Sequence, residues 1–150
     1  MISVSTKSDQ ELLIGLMGFQ PMLFRRHLLM NAAENQPVQF DAIMEPWQKA
    51  DFEAVDPALR YVAGVTDEKP KKLCSWVQRP RGHSKTSDHA TSLTWLLWAS
   101  PRRITGIAAA EDKDQARLVR EQMETIGRNN PWLCDRLDYQ RNIVRNRNTG

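Results

Sequence analysis

Residues 77–87, Val77-Gln78-Arg79-Pro80-Arg81-Gly82-His83-Ser84-Lys85-Thr86-Ser87, constrain the fold more than any other stretch. They join two segments of different periodicity. Before the turn, Leu73-Cys74-Ser75-Trp76-Val77 reads as a short buried strand; after it, residues 84–99 read as a helix with Ala90, Leu93, Leu96 and Leu97 on one face, stopped by Pro101. The alternation then repeats. Residues 103–110, RITGIAAA, predict a second strand, and residues 112–127 a charged amphipathic helix with Ala116, Leu118, Val119, Met123 and Ile126 inward and Gly127 at its end. Asn130-Pro131-Trp132-Leu133 starts a short helix, and residues 139–145 alternate as a third strand. Strand, loop, helix, strand, helix, strand is the order of an α/β fold with a parallel sheet.

The chain ahead of residue 73 is helical in pattern. From Asp9 to about Asn35, Leu12, Leu13, Leu16, Met17, Phe19, Leu23, Phe24, Leu28 and Leu29 recur mostly at three- and four-residue steps, broken near Pro21. Ser8 or Asp9 can cap that helix, and a loop follows through Pro37. Glu45-Pro46-Trp47-Gln48 opens a second helical stretch with proline in its first turn, and Asp56-Pro57 restarts a third through Leu59 and Val62. Residues 66–72 are a polar loop. A helical lead-in thus precedes the βαβαβ order.

The turn itself has the residue types of a phosphate-binding loop. Such a loop wraps backbone N–H groups around an anion, aims a helix N-terminus at it, and supplies a Lys for the β and γ phosphates and a hydroxyl for Mg²⁺. Lys85 and Thr86 stand in the last two positions. The two glycines of G-x-x-x-x-G-K-[ST] are replaced by Arg79 and Ser84, and Gly82 is the one glycine of the loop. A left-handed backbone at Ser84 costs roughly 1–2 kcal/mol relative to Gly, which a nucleotide and a divalent metal can offset. The competing reading is a basic strand-to-helix turn, with Ser84 capping the helix and Lys85 exposed.

Composition narrows the class. A chain of 150 residues that is 41% hydrophobic and 26% charged is rich enough in apolar residues to bury a core, which excludes a disordered chain. Two cysteines, Cys74 and Cys134, are too few for a disulfide scaffold and read as reduced thiols, Cys74 in the core. No apolar run nears the roughly 18–20 residues of a membrane helix. Lys7, Asp9 and Glu11 interrupt any signal-peptide core, so the expected compartment is a reducing cytoplasm. Residues 1–75 hold 8 Lys/Arg against 10 Asp/Glu, and residues 76–150 hold 13 against 8, so the second half is basic and suited either to a polyanion or to plain solvation. His27 and His89 lie on helices and His83 in the turn; none pairs with a cysteine at zinc-site spacing.

A second stretch adds to the turn: Ile107-Ala108-Ala109-Ala110-Glu111-Asp112-Lys113-Asp114-Gln115-Ala116. Together with Arg79-Pro80-Arg81-Gly82-His83-Ser84-Lys85-Thr86 it resembles the amino-terminal ATPase region of the large subunit of tailed-phage terminases, the motors that package DNA into capsids. Loops of the form P-R-G-x-[GS]-K-[ST], followed by a strand end A-A-x-x-x-x-Q-A, are typical of that family. The resemblance extends to Pro46-Trp47-Gln48, Asn130-Pro131 and Asn148-Thr149-Gly150, and so covers about residues 40–150; it implies a partial P-loop ATPase domain there, with residues 1–39 a helical segment that carries no motif.

The resemblance implies a P-loop ATPase with ATP and Mg²⁺ as ligands. Lys85 would bind the β/γ phosphates and Thr86 the Mg²⁺, while Gly82, His83, Ser84 and the helix start through Ser87 would hold the phosphates. Arg81, four residues before the Lys, matches an arginine that acts on the γ-phosphate, where charge accumulates in the transition state; otherwise it is a surface guanidinium. Gln48 would read the adenine edge with Trp47 stacking nearby, as in helicase-like ATPases; otherwise it is a helix-start residue beside a core Trp. Gln115 would couple nucleotide state to DNA contact, and Arg128, Arg136, Arg141, Arg145 and Arg147 would line a DNA path. The implied partners are double-stranded DNA, the terminase small subunit and the portal protein, with a homo-oligomeric full-length motor in the bacterial host cytoplasm.

One part of the expected machinery is missing. A P-loop ATPase holds Mg²⁺ through a carboxylate on a second core strand and orients water with a neighbouring Glu. Asp67-Glu68 ends an apolar run but precedes the loop, whereas the family places this pair downstream, and nothing after Thr86 fits. The expectation is therefore the amino-terminal part of such a motor, an incomplete sheet that hydrolyses negligibly by itself. Two rivals remain: a helicase-type nucleic-acid ATPase, and a non-enzymatic basic protein that binds DNA or a partner.

Overall fold

The computed structural model describes residues 6–32 and 36–150. The protein is mixed α/β and mostly helical, 56% of the described residues, with two small antiparallel sheets among them. In chain order the elements are α1 (Lys7–Phe19), α2 (Pro21–His27), β1 (Leu29–Asn31), β2 (Pro37–Gln39), α3 (Phe40–Ile43), α4 (Pro46–Ala63), α5 (Lys85–Ala99), α6 (Lys113–Asn129), a 3₁₀ turn (Pro131–Asp135), β3 (Leu137–Tyr139) and β4 (Val144–Asn146). The predicted helix over residues 9–35 ends at His27 and gives way to β1; residues 33–35 of that expectation lie outside the described residues.

Capping explains where the helices start. Thr6 and Asp9 form a reciprocal capping box on α1, displacing the expected Ser8 or Asp9 cap. Glu45 and Gln48 do the same for α4, with Pro46 in the first turn, where its missing N–H costs nothing. That helix runs through Pro57, so the two expected stretches are one. Gly64 ends it at φ 78°, and a Cβ there would press on the Arg102 guanidinium at 2.9 Å.

The core is built around α5, with α4, α6, α1 and α2 packed on it. Its buried face differs from the expected leucine face: Ala90, Thr91, Thr94, Trp95 and Trp98 are buried, while Leu93, Leu96 and Leu97 pack at the margin. The aromatic rings decide this rotation. Phe24, Trp98 and Trp132 form a cluster with centroids 5.2–5.6 Å apart, and Trp95 Nε1 donates to the Met17 carbonyl at 2.8 Å, satisfying the indole while burying it. Buried Asn130 holds α6 to β1 by accepting from Leu29 N–H and donating to the Leu29 and Ile126 carbonyls.

Three strand expectations change. Residues 73–77 and 103–110 flank α5 but join no ladder, and among the described residues both strand pairings are antiparallel. Trp76 and Ile107 are 90% and 91% exposed, and Cys74, expected in the core, is exposed as well. Short parallel strands gain little from a single pairing and are stable when several pair under cover on both faces. The third expected strand is a hairpin: residues 139–145 turn at 140–143, where Gln140 N–H donates to the Ile143 carbonyl at 2.9 Å, and Tyr139 pairs with Val144.

Gly127 does not end α6. The helix continues to Asn129, and Gly127 is buried within it because the Tyr139 ring lies where a Cβ would be, 2.6 Å away. No described helix is long and apolar enough to cross a membrane.

Candidate functional site

The turn before α5 carries the most unusual backbone among the described residues. Ser84 sits at φ 51°, ψ 15°, and is the one non-glycine residue with positive φ among those described; Gly82 is at φ 82°. Nothing lies within 4 Å of a Cβ at Gly82, so glycine is needed there for its dihedral and not for space. Ser84 occupies the N-cap position, yet its side chain makes no capping hydrogen bond, which removes the reason the alternative reading gave for serine.

The start of α5 is consequently open. Its first backbone bond is from Asp88 N–H to the Ser84 carbonyl at 2.9 Å, and the N–H groups of Lys85, Thr86 and Ser87 meet no acceptor among the described residues. Three free donors at the end of a 15-residue helix, beside two left-handed residues, suit an anion. Gly82, His83, Ser84 and Lys85 are exposed, and Thr86 and Ser87 half-buried. Neither Lys85 nor Arg81 takes part in an ion pair among the described residues, so both charges are uncommitted.

The wall behind the turn is made by α4. Gln48 is buried, its Oε1 accepting from Glu45 N–H and its Nε2 donating to Asp88 Oδ1, each at 2.9 Å. Trp47 lies with its ring 6.3 Å from that of His83, whose Nδ1 is 3.2 Å from the Arg81 carbonyl oxygen. The fold therefore brings Trp47 and Gln48 to the turn, about forty residues away in sequence. It also ties the Gln48 amide into the protein at both ends.

Three residues of this site had no assigned role in the sequence: Arg79, Asp51 and Asp88. Arg79 donates to Asp88 and, at 2.6 Å, to Asp51, while its guanidinium carbon lies 4.5 Å from the centre of the Trp47 ring. Burial pulls the Arg79 guanidinium down, and the bonds to Asp88 and Asp51 more than offset this, holding it above its ordinary value. Burial likewise pushes the Asp88 carboxyl up, against the pull of Arg79 and Gln48. His89 is held below its ordinary value by burial and by the charge of Arg79. The available signal was Arg79 at a glycine position and Asp88 one turn into the helix.

A cleft of about 370 Å³ runs behind the turn, lined by Asp51 and Leu59 of α4, Val77 and Arg79, Lys85 and His89 of α5, and Ile107. Lys85 reaches it, whereas residues 80–84 stand outside. Asp67 and Glu68 are exposed and do not line it. Among the described residues no three His, Cys, Asp or Glu side chains form a metal-holding group. Gln115 is exposed and bonded to Asp112, the N-cap of α6. Of the arginines expected on a DNA path, Arg136 lies over Trp98, Arg145 and Arg147 pair with Asp138, and Arg128 bonds Thr125. No protein-family profile, curated protein or solved structure matches the chain.

Proposed function

We propose that the chain binds the phosphates of ATP at the turn preceding α5, as the nucleotide-binding part of a terminase-like DNA-packaging ATPase. The observation that carries the reading is Ser84 at φ 51° directly before Lys85, the conformation that phosphate loops obtain from glycine at that place. Backbone strain of this kind persists where surrounding structure or function requires it. Free N–H groups on residues 85–87 and the uncommitted Lys85 and Arg81 supply complementary charge.

In this reading Lys85 contacts the β/γ phosphates, Arg81 approaches the γ-phosphate, and Gly82, His83, Ser84 and Ser87 line the loop. Thr86 has a half-buried hydroxyl without a protein partner among the described residues, which fits one ligand position of a Mg²⁺ whose remaining ligands are phosphate oxygens and water. The metal, when bound, neutralises charge on those oxygens. Residues 73–77 and 103–110 are the two strand positions beside α5 in a parallel P-loop sheet. Double-stranded DNA is the translocated partner, with small-subunit and portal contacts belonging to the whole motor.

Hydrolysis by this chain is negligible in the same reading. The acids that bond the turn, Asp51 and Asp88, are both engaged by Arg79, which leaves neither as a free base for water. Calorimetric titration with Mg·ATP tests the proposal: binding that disappears in Lys85→Ala supports it. Salt-sensitive DNA binding with no nucleotide signal would favour the non-enzymatic rival and sink the ATP reading.

A further inference from the structure

We infer that Arg79 is a positioning residue: it fixes the shape of the phosphate-binding turn, and its charge is not spent on the phosphates. The inference rests on the nucleotide reading above and adds a residue to which neither the loop pattern nor the resemblance gives a role.

The turn has almost no backbone bonding of its own. Between residues 79 and 84 no N–H donates to a backbone carbonyl among the described residues, so its form depends on side chains. Arg79 closes it, with Nη1 donating to the His83 carbonyl at 3.3 Å across the turn. The same nitrogen donates to Asp88 on α5, and Nη2 to Asp51 on α4 at 2.6 Å. One planar guanidinium thus joins the first residue of the turn, its far end and both flanking helices. A lysine ammonium is compact and cannot reproduce this fork.

Charge separates Arg79 from the phosphate-binding cations. Two carboxylates face it, so its local field is neutralised, and its side chain is 9% exposed. Lys85 and Arg81 meet neither acid in an ion pair. Gln48 supports the same arrangement by holding Asp88 Oδ1, which leaves Oδ2 for Arg79. Replacing the first glycine of the loop by Arg therefore exchanges a flexible backbone for a braced one.

The test is Mg·ATP affinity by calorimetry for the wild type, Arg79→Ala, Arg79→Lys, Asp51→Asn and Lys85→Ala, with helix content followed by circular dichroism. Losing two charge-assisted bonds predicts affinity about tenfold weaker or worse in Arg79→Ala, with little recovery in Arg79→Lys. Low-millimolar guanidinium restores part of the affinity in Arg79→Ala and none in Lys85→Ala; a general loss of structure would not be rescued by a denaturing ion. Asp51→Asn, at a half-exposed acid, weakens binding with the fold intact. Wild-type affinity in Arg79→Ala, or failed rescue, overturns the inference; if Arg79→Ala does not fold, wild-type affinity in Asp51→Asn overturns it. Unchanged affinity in Lys85→Ala instead removes the nucleotide reading beneath it.

Discussion

Arg25 Nη1 lies 2.7 and 2.9 Å from the two carboxylate oxygens of Asp56, a pair 31 residues apart that locks α2 to α4. Nη2 donates to Ser92 on α5 at 3.1 Å, and the guanidinium sits 4.0 Å from the centre of the Phe52 ring. Arg25 is fully buried, so removing either partner strands a charge. Arg25→Met is expected to cost about 3–5 kcal/mol in urea unfolding, and Arg25→Met with Asp56→Leu to recover most of it. A cost below about 1 kcal/mol for the single change would mean that the pair is hydrated.

Tyr139 sets a second expectation. Its hydroxyl is buried without a partner among the described residues, and burial holds the phenol well above the ordinary tyrosine range. A raised folded value means stability is complete below the unfolded value near 10 and is lost as pH rises beyond it. Tyr139→Phe removes the unsatisfied group, so it should raise stability by up to about 1 kcal/mol and flatten the alkaline loss. Gly127→Ala, by contrast, drives a Cβ into the same ring; packing strain of about 1–3 kcal/mol outweighs the roughly 1 kcal/mol gained in helix propensity. Thermal melts at neutral and alkaline pH check both.

His89 gives the acid side. Burial and the charge of Arg79 depress its folded value below the unfolded 6.5, with Asp88 opposing. The unfolded chain takes the proton first, so the stability from a neutral His89 is complete above pH 6.5 and is lost as pH falls through the depressed value. His89→Gln should reduce that acid slope, as read from urea midpoints across a pH series. A slope identical to wild type would show that His89 titrates normally in the fold.

How much of this was legible in the sequence depends on whether a signal was local. The starts of α4, α5 and α6 were readable because caps and first-turn prolines act within a few residues: Pro46, Ser84 and Asp112 all fall at or beside their helix boundaries. A left-handed backbone at Ser84 was raised by position alone, because the loop pattern has glycine there, while the capping reading stayed open beside it; φ is 51°. The strands were not legible. Residues 73–77 are as apolar as a buried strand, but a strand is defined by its neighbours, and none pairs with them here. Arg79 was hidden in another way: its partners come from residues 51 and 88, which a scan for glycine and lysine spacing passes over.

That difference is measurable by amide hydrogen exchange. Residues 73–79 and 103–110 make no backbone hydrogen bonds among the described residues, so their amides should exchange near the rate of an open chain. Amides in the middle of α5, around Trp95, should be among the slowest. Strong protection over residues 73–79 in the isolated chain would indicate a sheet that these antiparallel hairpins do not include.

At Ser84 a single dihedral bears on both stability and binding. An L-residue in the left-handed region costs roughly 1–2 kcal/mol relative to glycine, and the Ser84 side chain returns no capping bond. Ser84→Gly should therefore stabilise the fold by about 1 kcal/mol, less the entropy of a freer unfolded chain. Ser84→Val, with a branched Cβ in the same conformation, should destabilise it by more. If the turn holds phosphate through its backbone, Mg·ATP affinity in Ser84→Gly stays at or above the wild-type value while Ser84→Val loses it. Equal melting temperatures for serine, glycine and valine at this position would show that the residue relaxes out of the left-handed region, and the argument from backbone strain would fall with it.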